Sequence, residues 1–329
     1  MNVLLTGATG FLGYRTLERL VELPYVHQVK ASGRTLSKDR LVEHPKVKYL
    51  LGNLENEQWV NNLVKGVDLI INAAALSAPW GKRQDFINAN LNTQLNLINA
   101  AKANSVSRFI YISSPSIYFE PKDKLGIKES DLLPSQFINE YARTKFEAEQ
   151  MLIKKFNHYI ILRPRALIGR GDHIILPRLI KAFDTGRLRI IGNGQNIVDL
   201  TSVSNVADAI IQSMTVGQLG LNQVYNISNG DPVFLWPQIA QILKALGKNL
   251  SDRRLSIWMA STVAFLLELK SEFTDYSEPT LTRYSVGTLA HSFTMDISKA
   301  KELLGYSPHQ TIENSILEFV NWYKYEVNL

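Results

Sequence analysis

TGATGFLG, residues 6–13, sets Gly7, Gly10 and Gly13 three residues apart directly behind the apolar run NVLL. The stretch that follows, FLGYRTLERLVEL, carries apolar residues at helical spacing with charges between them. The glycines therefore stand where a buried strand turns into a helix. Glycine at such a turn permits backbone angles closed to other residues and lets N–H groups approach a ligand. The start of the helix presents unpaired donors and a partial positive charge, which suits a phosphate. Packing of strand on helix alone could also call for glycine. The position inside a strand–turn–helix unit favours dinucleotide binding.

Outward from this turn the first half alternates. Short apolar runs recur at QVKASG, KVKYLLG, DLIINAA, RFIYISS and YIILRP, separated by amphipathic stretches such as 82–103 and 138–156. Strands alternating with helices predict an α/β fold, a Rossmann-type doubly wound parallel sheet with helices on both faces. After Pro164 the regularity fails, glycines and charges cluster, and a helix and strand resume in TSVSNVADAIIQSM and QVYNIS. The parse is a cofactor domain over 1–165, with 198–228 returning to it. A smaller, interleaved, mostly α substrate domain takes 166–197 and 229–329. Helices are expected at 236–247, 256–269, 298–304 and 311–326.

Bulk composition narrows the function classes. In 329 residues, 45% hydrophobic and 20% charged, the balance is that of an ordinary globular protein. The net charge of +6 comes without a basic block interleaved with aromatics, so anionic small molecules or a membrane surface are expected rather than nucleic acid. The absence of cysteine excludes disulfides, thiolate zinc sites and cysteine nucleophiles. The six histidines are scattered without ligand spacing, so no metal site is expected. No signal peptide is expected before the first strand, which favours a cytoplasmic location.

The proton chemistry has a candidate in INEYARTKFEAEQML, where Tyr141 and Lys145 stand four apart on one helix face. A free phenol has a pKa of about 10, and a neighbouring ammonium lowers it. On its own the pair reads more readily as an exposed surface pair. It is joined by Ser113 and Ser114 at the C-terminal end of RFIYISS, where ligands bind in open α/β sheets. A hydroxyl there can hold a substrate oxygen while Tyr141 transfers the proton.

Glycine turn, strand-end serine and Tyr/Lys helix, in that order, resemble the extended short-chain dehydrogenase/reductase superfamily over essentially the whole chain. INAAA at 71–75, NANLNTQLNLINAA, YISSPSIY, YARTK, LRP and ISKAKELLGYSP carry the same likeness. The resemblance implies NAD(P) binding and assigns Ser114, Tyr141 and Lys145 as the catalytic set. It places Gly7, Thr9, Gly10, Phe11, Leu12, Gly13, Asn53, Leu54, Ala73, Ala74, Asn90 and Pro164 at the cofactor, with Tyr141 and Lys145. In QVKASGRTLSKDR, Gly33 stands where a ribose-binding acid is expected, and Arg34 with Lys38 follows, so NADP(H) is favoured over NAD(H).

The nearest branch is the 3β-hydroxysteroid dehydrogenase-like one, with sterol-4-carboxylate 3-dehydrogenases and 2-alkyl-3-oxoalkanoate reductases. Val198 replaces the arginine with which many sugar-nucleotide members grip a diphosphate, Pro115 and Ser116 follow Ser114 where dehydratases place acids, and Asn205 stands where many relatives carry aspartate. The expected function interconverts a ketone and a secondary alcohol on a hydrophobic molecule, 3-hydroxysteroid-like or a β-keto/β-hydroxy acid. Two alternatives stay open: a sugar-nucleotide epimerase or dehydratase, and a non-catalytic NAD(P)-sensing regulator. A homodimer is expected through helices 82–103 and 138–156. The apolar run SIWMASTVAFLLELK, 256–270, is too short for a membrane span of about 20 residues. It reads first as a buried helix, with one face lining or covering an apolar pocket; peripheral membrane contact stays open.

Overall fold

The seven apolar runs become the seven strands of one parallel sheet. The computed structural model describes residues 1–327, with side chains through residue 325. From edge to edge the order is Gln223–Ile227, Tyr159–Pro164, Arg108–Ile112, Leu69–Asn72, Asn2–Thr6, Gln28–Gly33 and Val47–Leu51. Successive side chains alternate between the two faces. Val3 and Leu5 pack with Leu17, Leu20, Val206 and Ile210 on one face, while Leu4 packs with Leu97, Ile98 and Leu152 on the other. Both faces are covered, so strands such as Leu69–Asn72 are buried at every residue. Fully burying one such leucine contributes about 1.5–3 kcal/mol.

Strand order reverses between Asn2–Thr6 and Leu69–Asn72, whose neighbours on either side were laid down in opposite directions along the sheet. The loops leaving the carboxyl ends of these two strands part there and leave a crevice. Both loops are glycine- or alanine-rich, TGATG and NAAA, so backbone lines the crevice.

Three features depart from the sequence expectation. The stretch 82–103 is not one regular helix: Arg83–Phe86 and Thr93–Ala103 flank a π-helical turn over Ile87–Asn92. Thr93 Oγ1 donates to Ala89 O at 2.6 Å, and Asn90 is turned inward, where its Oδ1 accepts Leu76 N at 2.8 Å. A side chain competing for the helical carbonyls is a usual cause of such a bulge. Second, Lys124–Ile127 lies within the 1–165 span but joins a second, four-stranded sheet with Phe293–Met295, Ile197–Val198 and Val233–Phe234.

The third departure concerns the helix Ile257–Glu272, expected as a core element. Its inward stripe is Ala260, Ala264, Glu268 and Ser271. The bulky side chains face out: Trp258 is 76% exposed, Leu266 58% and Phe273, just past the helix, 88%. Met259, Val263 and Phe265 are exposed as well. Small inward residues let the helix lie close against Trp236, Leu243 and Val286, and that close approach leaves no room inside for the large ones. Among the described residues no helix is long and apolar enough to cross a membrane.

Candidate active site

At the glycine turn the three glycines do different work. Gly7 has φ +67°, and a Cβ there would meet the Ala73 and Ala74 backbone at 2.7 Å. A Cβ on Gly13 would stand 2.0 Å from Gly7 O, so Gly13 seats the helix Phe11–Glu22 on the turn. Gly10 meets nothing nearer than 3.2 Å. It is the N-cap of that helix, with no side chain capping the first turn and no acid within it. The helix therefore opens the crevice with uncapped N–H donors, the arrangement that takes a pyrophosphate.

The crevice is an open cleft of about 250 Å³ lined by Gly7, Thr9, Gly10, Arg34, Asn53, Leu54, Ala73 and Ala74 from the expected set. Phe11 and Leu12 belong to the first helical turn. Lys38 lies exposed in a 3₁₀ turn, Lys38–Arg40, and does not line the cleft. Asn90 bonds Leu76 and Thr144 (3.0 Å) and so fixes the cleft wall. Pro164 ends its strand, buried. Gly33 lines it too, and Ser32, Thr35, Gly52, Glu55, Ala75, Leu76, Ala89 and Thr93 also line the cleft and were not anticipated. The absence of an acid at Gly33 has a steric cause, since a Cβ would lie 2.3 Å from Thr9 Oγ1. An uncapped helix start beside backbone too close for any side chain fits an NAD(P) dinucleotide.

Around the reaction centre, Asn139 caps the helix Glu140–Lys155 through Ala142 N at 2.9 Å and so fixes Tyr141 in its first turn. The Ser77 and Ser114 hydroxyls are the side-chain groups that act on the Tyr141 phenol. Burial pushes its phenol above the ordinary value, and the two serine hydroxyls pull it back. Ser114 follows the strand Arg108–Ile112 and accepts Ser116 N at 3.2 Å, whereas Ser113 and Ser116 keep buried hydroxyls without partners. The hydroxyl that meets the tyrosine is therefore Ser114. Ser77 carried no motif beyond its place after INAAA.

Lys145 departs from its expected part. Its Nζ donates to Ile112 O at 2.5 Å and lies 4.1 Å from the Tyr111 ring centroid. Burial brings its pKa down to about 7, opposed by the Glu149 carboxylate. The groups acting on the Tyr141 phenol are Ser77 and Ser114 rather than this ammonium. Tyr284 packs edge-on against Phe119 at 5.0 Å. Val198 is buried in strand pairing with Val233 and Phe293, so its position offers no cation. Asn205 donates to Asn229 and Gln310 carbonyl oxygens and accepts His309 and Gln310 N–H groups; an aspartate could not donate.

Residues 3–228 match the model of the NAD dependent epimerase/dehydratase family. The chain belongs to that family. A 2-alkyl-3-oxoalkanoate reductase of Stenotrophomonas maltophilia is 32% identical over 328 residues, 96% of this chain and 97% of the relative. The sterol-4-alpha-carboxylate 3-dehydrogenase, decarboxylating, of Mus musculus is 27% identical, covering 94% and 87%. In fold, the UDP-glucose 4-epimerase of Thermotoga maritima, solved with UDP-glucose, superposes with a TM-score of 0.79 at 19% identity over 99% of this chain and all of that one. This epimerase/dehydratase family member is thus an extended short-chain dehydrogenase/reductase enzyme with dehydrogenase and reductase relatives.

Proposed function

We propose that this protein interconverts a ketone and a secondary alcohol on a hydrophobic substrate, 3-hydroxysteroid-like or a β-keto/β-hydroxy acid. The observation that carries the reading is the half-buried Tyr141 phenol, acted on by the Ser114 and Ser77 hydroxyls at the carboxyl end of the sheet. Bound in the neighbouring cleft, NAD(P)H supplies the hydride. Tyr141, neutral because burial raises its pKa, donates its proton to the carbonyl oxygen, and Ser114 fixes that oxygen. In oxidation the deprotonated form of the same group, the phenolate, would accept the alcohol proton. Lys145 would hold the nicotinamide ribose from the next turn of the helix. Val198 favours this reading over sugar-nucleotide chemistry, because a buried strand valine grips no diphosphate.

NADP(H) is the preferred partner in this reading. Arg34 lines the cleft directly after the second strand and has no ion pair among the described residues. It suits a 2′-phosphate, and Gly33 brings no carboxylate against it.

The helix Ile257–Glu272 supplies a peripheral contact with an anionic lipid surface. From Trp258 to Leu269 no exposed side chain is charged, because Glu268 is turned inward onto Arg283. Exposed Arg253 and Arg254 precede the helix and Lys270 follows the apolar face. Apolar insertion flanked by cations is the pattern of interfacial helices. The far end of the helix touches the active-site loop, where Trp80 Nε1 donates to Ser271 Oγ at 2.7 Å, three residues beyond Ser77. A substrate arriving from lipid would enter beside Tyr141.

A chain-length series of 3-oxo acids tests the reading. Each added CH₂ buried contributes at most about 0.8 kcal/mol, so kcat/KM should climb several-fold over the first few carbons. A flat series, or tighter use of a UDP-sugar, overturns it.

A further inference from the structure

The loop 73–82 leaves the carboxyl end of the strand Leu69–Asn72 and runs between the reaction centre and the outer helix Ile257–Glu272. Toward the reaction centre, Leu76 lines the cofactor cleft, and its N–H donates to Asn90 Oδ1 at 2.8 Å. Asn139 Nδ2 donates to Pro79 O at 3.3 Å, while Asn139 Oδ1 accepts Ala142 N at 2.9 Å. One amide side chain thus joins the loop to the helix turn that carries Tyr141. Toward the outer helix, Trp80 Nε1 donates to Ser271 Oγ at 2.7 Å, and the indole stacks on Tyr276 with ring centroids 6.3 Å apart. Lys82 pairs with Asp275 at 2.5 Å. Pro79 and Trp80 are adjacent, so both sets of contacts meet in one dipeptide.

The turn beyond the outer helix is strained. Asp275 and Tyr276, neither a glycine, both have φ +58°. Residues with side chains persist in that region only where their surroundings hold them. Here Trp80 and Lys82 do so from the loop, and Ser271 O accepts Tyr276 N at 2.9 Å. Turn and loop therefore fix each other's conformation. The turn begins at Phe273, exposed at the end of the apolar face offered to lipid. Lipid contact at Phe273 acts first on this turn, and the turn's contacts with Trp80 are the route inward.

We propose that Trp80 is a positioning residue through which lipid contact at the outer helix raises turnover at Tyr141. This inference rests on the lipid-contact and hydride-transfer readings above and adds regulation to them. Ser271 and Tyr276 hold the indole, the indole holds Pro79, and Pro79 O orients the Asn139 amide that starts the Tyr141 helix. A face seated on lipid restrains Phe273 and the turn, so the phenol spends more of its time aligned with the carbonyl oxygen. The weakest link is one ordinary hydrogen bond, which limits the gain to about fivefold.

The test follows NADPH oxidation with 3-oxohexanoate, a short anion that stays in water, with and without phosphatidylglycerol vesicles. It compares the wild type, Trp80→Phe, Ser271→Ala and the double variant. Trp80→Phe keeps a ring for Tyr276 and removes the N–H, whereas Ser271→Ala removes its acceptor. Vesicles should raise wild-type kcat about fivefold, with KM and NADPH affinity unchanged within about twofold. Each single variant should co-sediment with vesicles as the wild type does and lose the rise. The double variant should match either single one, because all three break the same bond. A single variant that keeps the full rise, or a double variant whose losses add, overturns the route through Trp80. Co-sedimentation of the wild type without any rise overturns the coupling and leaves the lipid contact standing. Absence of co-sedimentation removes the lipid contact, and absence of turnover on any 3-oxo acid while NADPH binds removes hydride transfer; either takes this inference with it. If Trp80→Phe does not fold, Ser271→Ala decides alone.

Discussion

The glycine turn at 6–13 and the helix at 257–272 break the usual rules of residue placement in opposite ways. At the turn, residues poor for helix and strand occupy the junction of both, and the chain's own backbone supplies the reason. A Cβ on Gly13 would strike Gly7 O at 2.0 Å, and one on Gly7 would strike Ala73. In the helix, alanines face inward while Trp258 and Leu266 face out. Close packing of the small inward residues leaves the outer apolar side chains uncovered among the described residues. The first region is accounted for by its own backbone; the second is accounted for by the lipid contact proposed above.

The largest effect tests the first half of that contrast. Gly13→Ala should cost several kcal/mol, because its Cβ meets backbone that cannot move aside, with overpacking alone costing about 1–3 kcal/mol. Thermal melting should show a collapse in stability and NADPH titration little binding. Gly10→Ala, whose Cβ would press on Gly7 O at 3.2 Å rather than overlap it, should melt somewhat below the wild type but well above Gly13→Ala, and should bind NADPH more weakly, since Gly10 lines the cleft. Equal melting of the two variants would mean the glycines are not divided between packing and binding.

Next in size is the outer helix. Trp258→Glu combined with Leu266→Glu should abolish co-sedimentation with phosphatidylglycerol vesicles and change stability by no more than about 0.5 kcal/mol, as exposed substitutions do. A large loss of stability would mean the face is covered within the protein itself. Unchanged stability with a dimer breaking into monomers would assign the face to a second copy. A smaller effect belongs to Arg34→Ala, expected to cut the preference for NADPH over NADH about tenfold by direct titration of both cofactors. An unchanged ratio would remove Arg34 from the 2′-phosphate site. The smallest is a pH signature: with the Tyr141 pKa raised, reduction should decline only at alkaline pH, and oxidation should rise as pH rises.

The same contrast marks what the sequence disclosed. The strands were legible because burial on both faces leaves continuous apolar runs, as in Leu69–Asn72. Tyr141 and Ser114 were legible because one helix turn and one strand end carry them. Ser77 was hidden, since a serine after an alanine-rich strand end has no local signature and meets Tyr141 only through the fold. Inversion of the outer helix was visible in principle, because Ala260, Ala264, Glu268 and Ser271 form a small-residue stripe at helical spacing. An apolar run reads as buried unless that stripe is noticed.

The central claim is that Tyr141 moves the proton while hydride passes between a bound nicotinamide and a carbonyl carbon. The most direct measurement reduces a long-chain 3-oxo acid with 4-deuterated NADPH, using the wild type and Tyr141→Phe, and follows deuterium in the product by mass spectrometry. The account predicts deuterium at the carbinol carbon with the wild type. It predicts unchanged NADPH affinity for Tyr141→Phe and turnover lower by about 10²-fold or more. Product without deuterium, or Tyr141→Phe working near the wild-type rate, would contradict it.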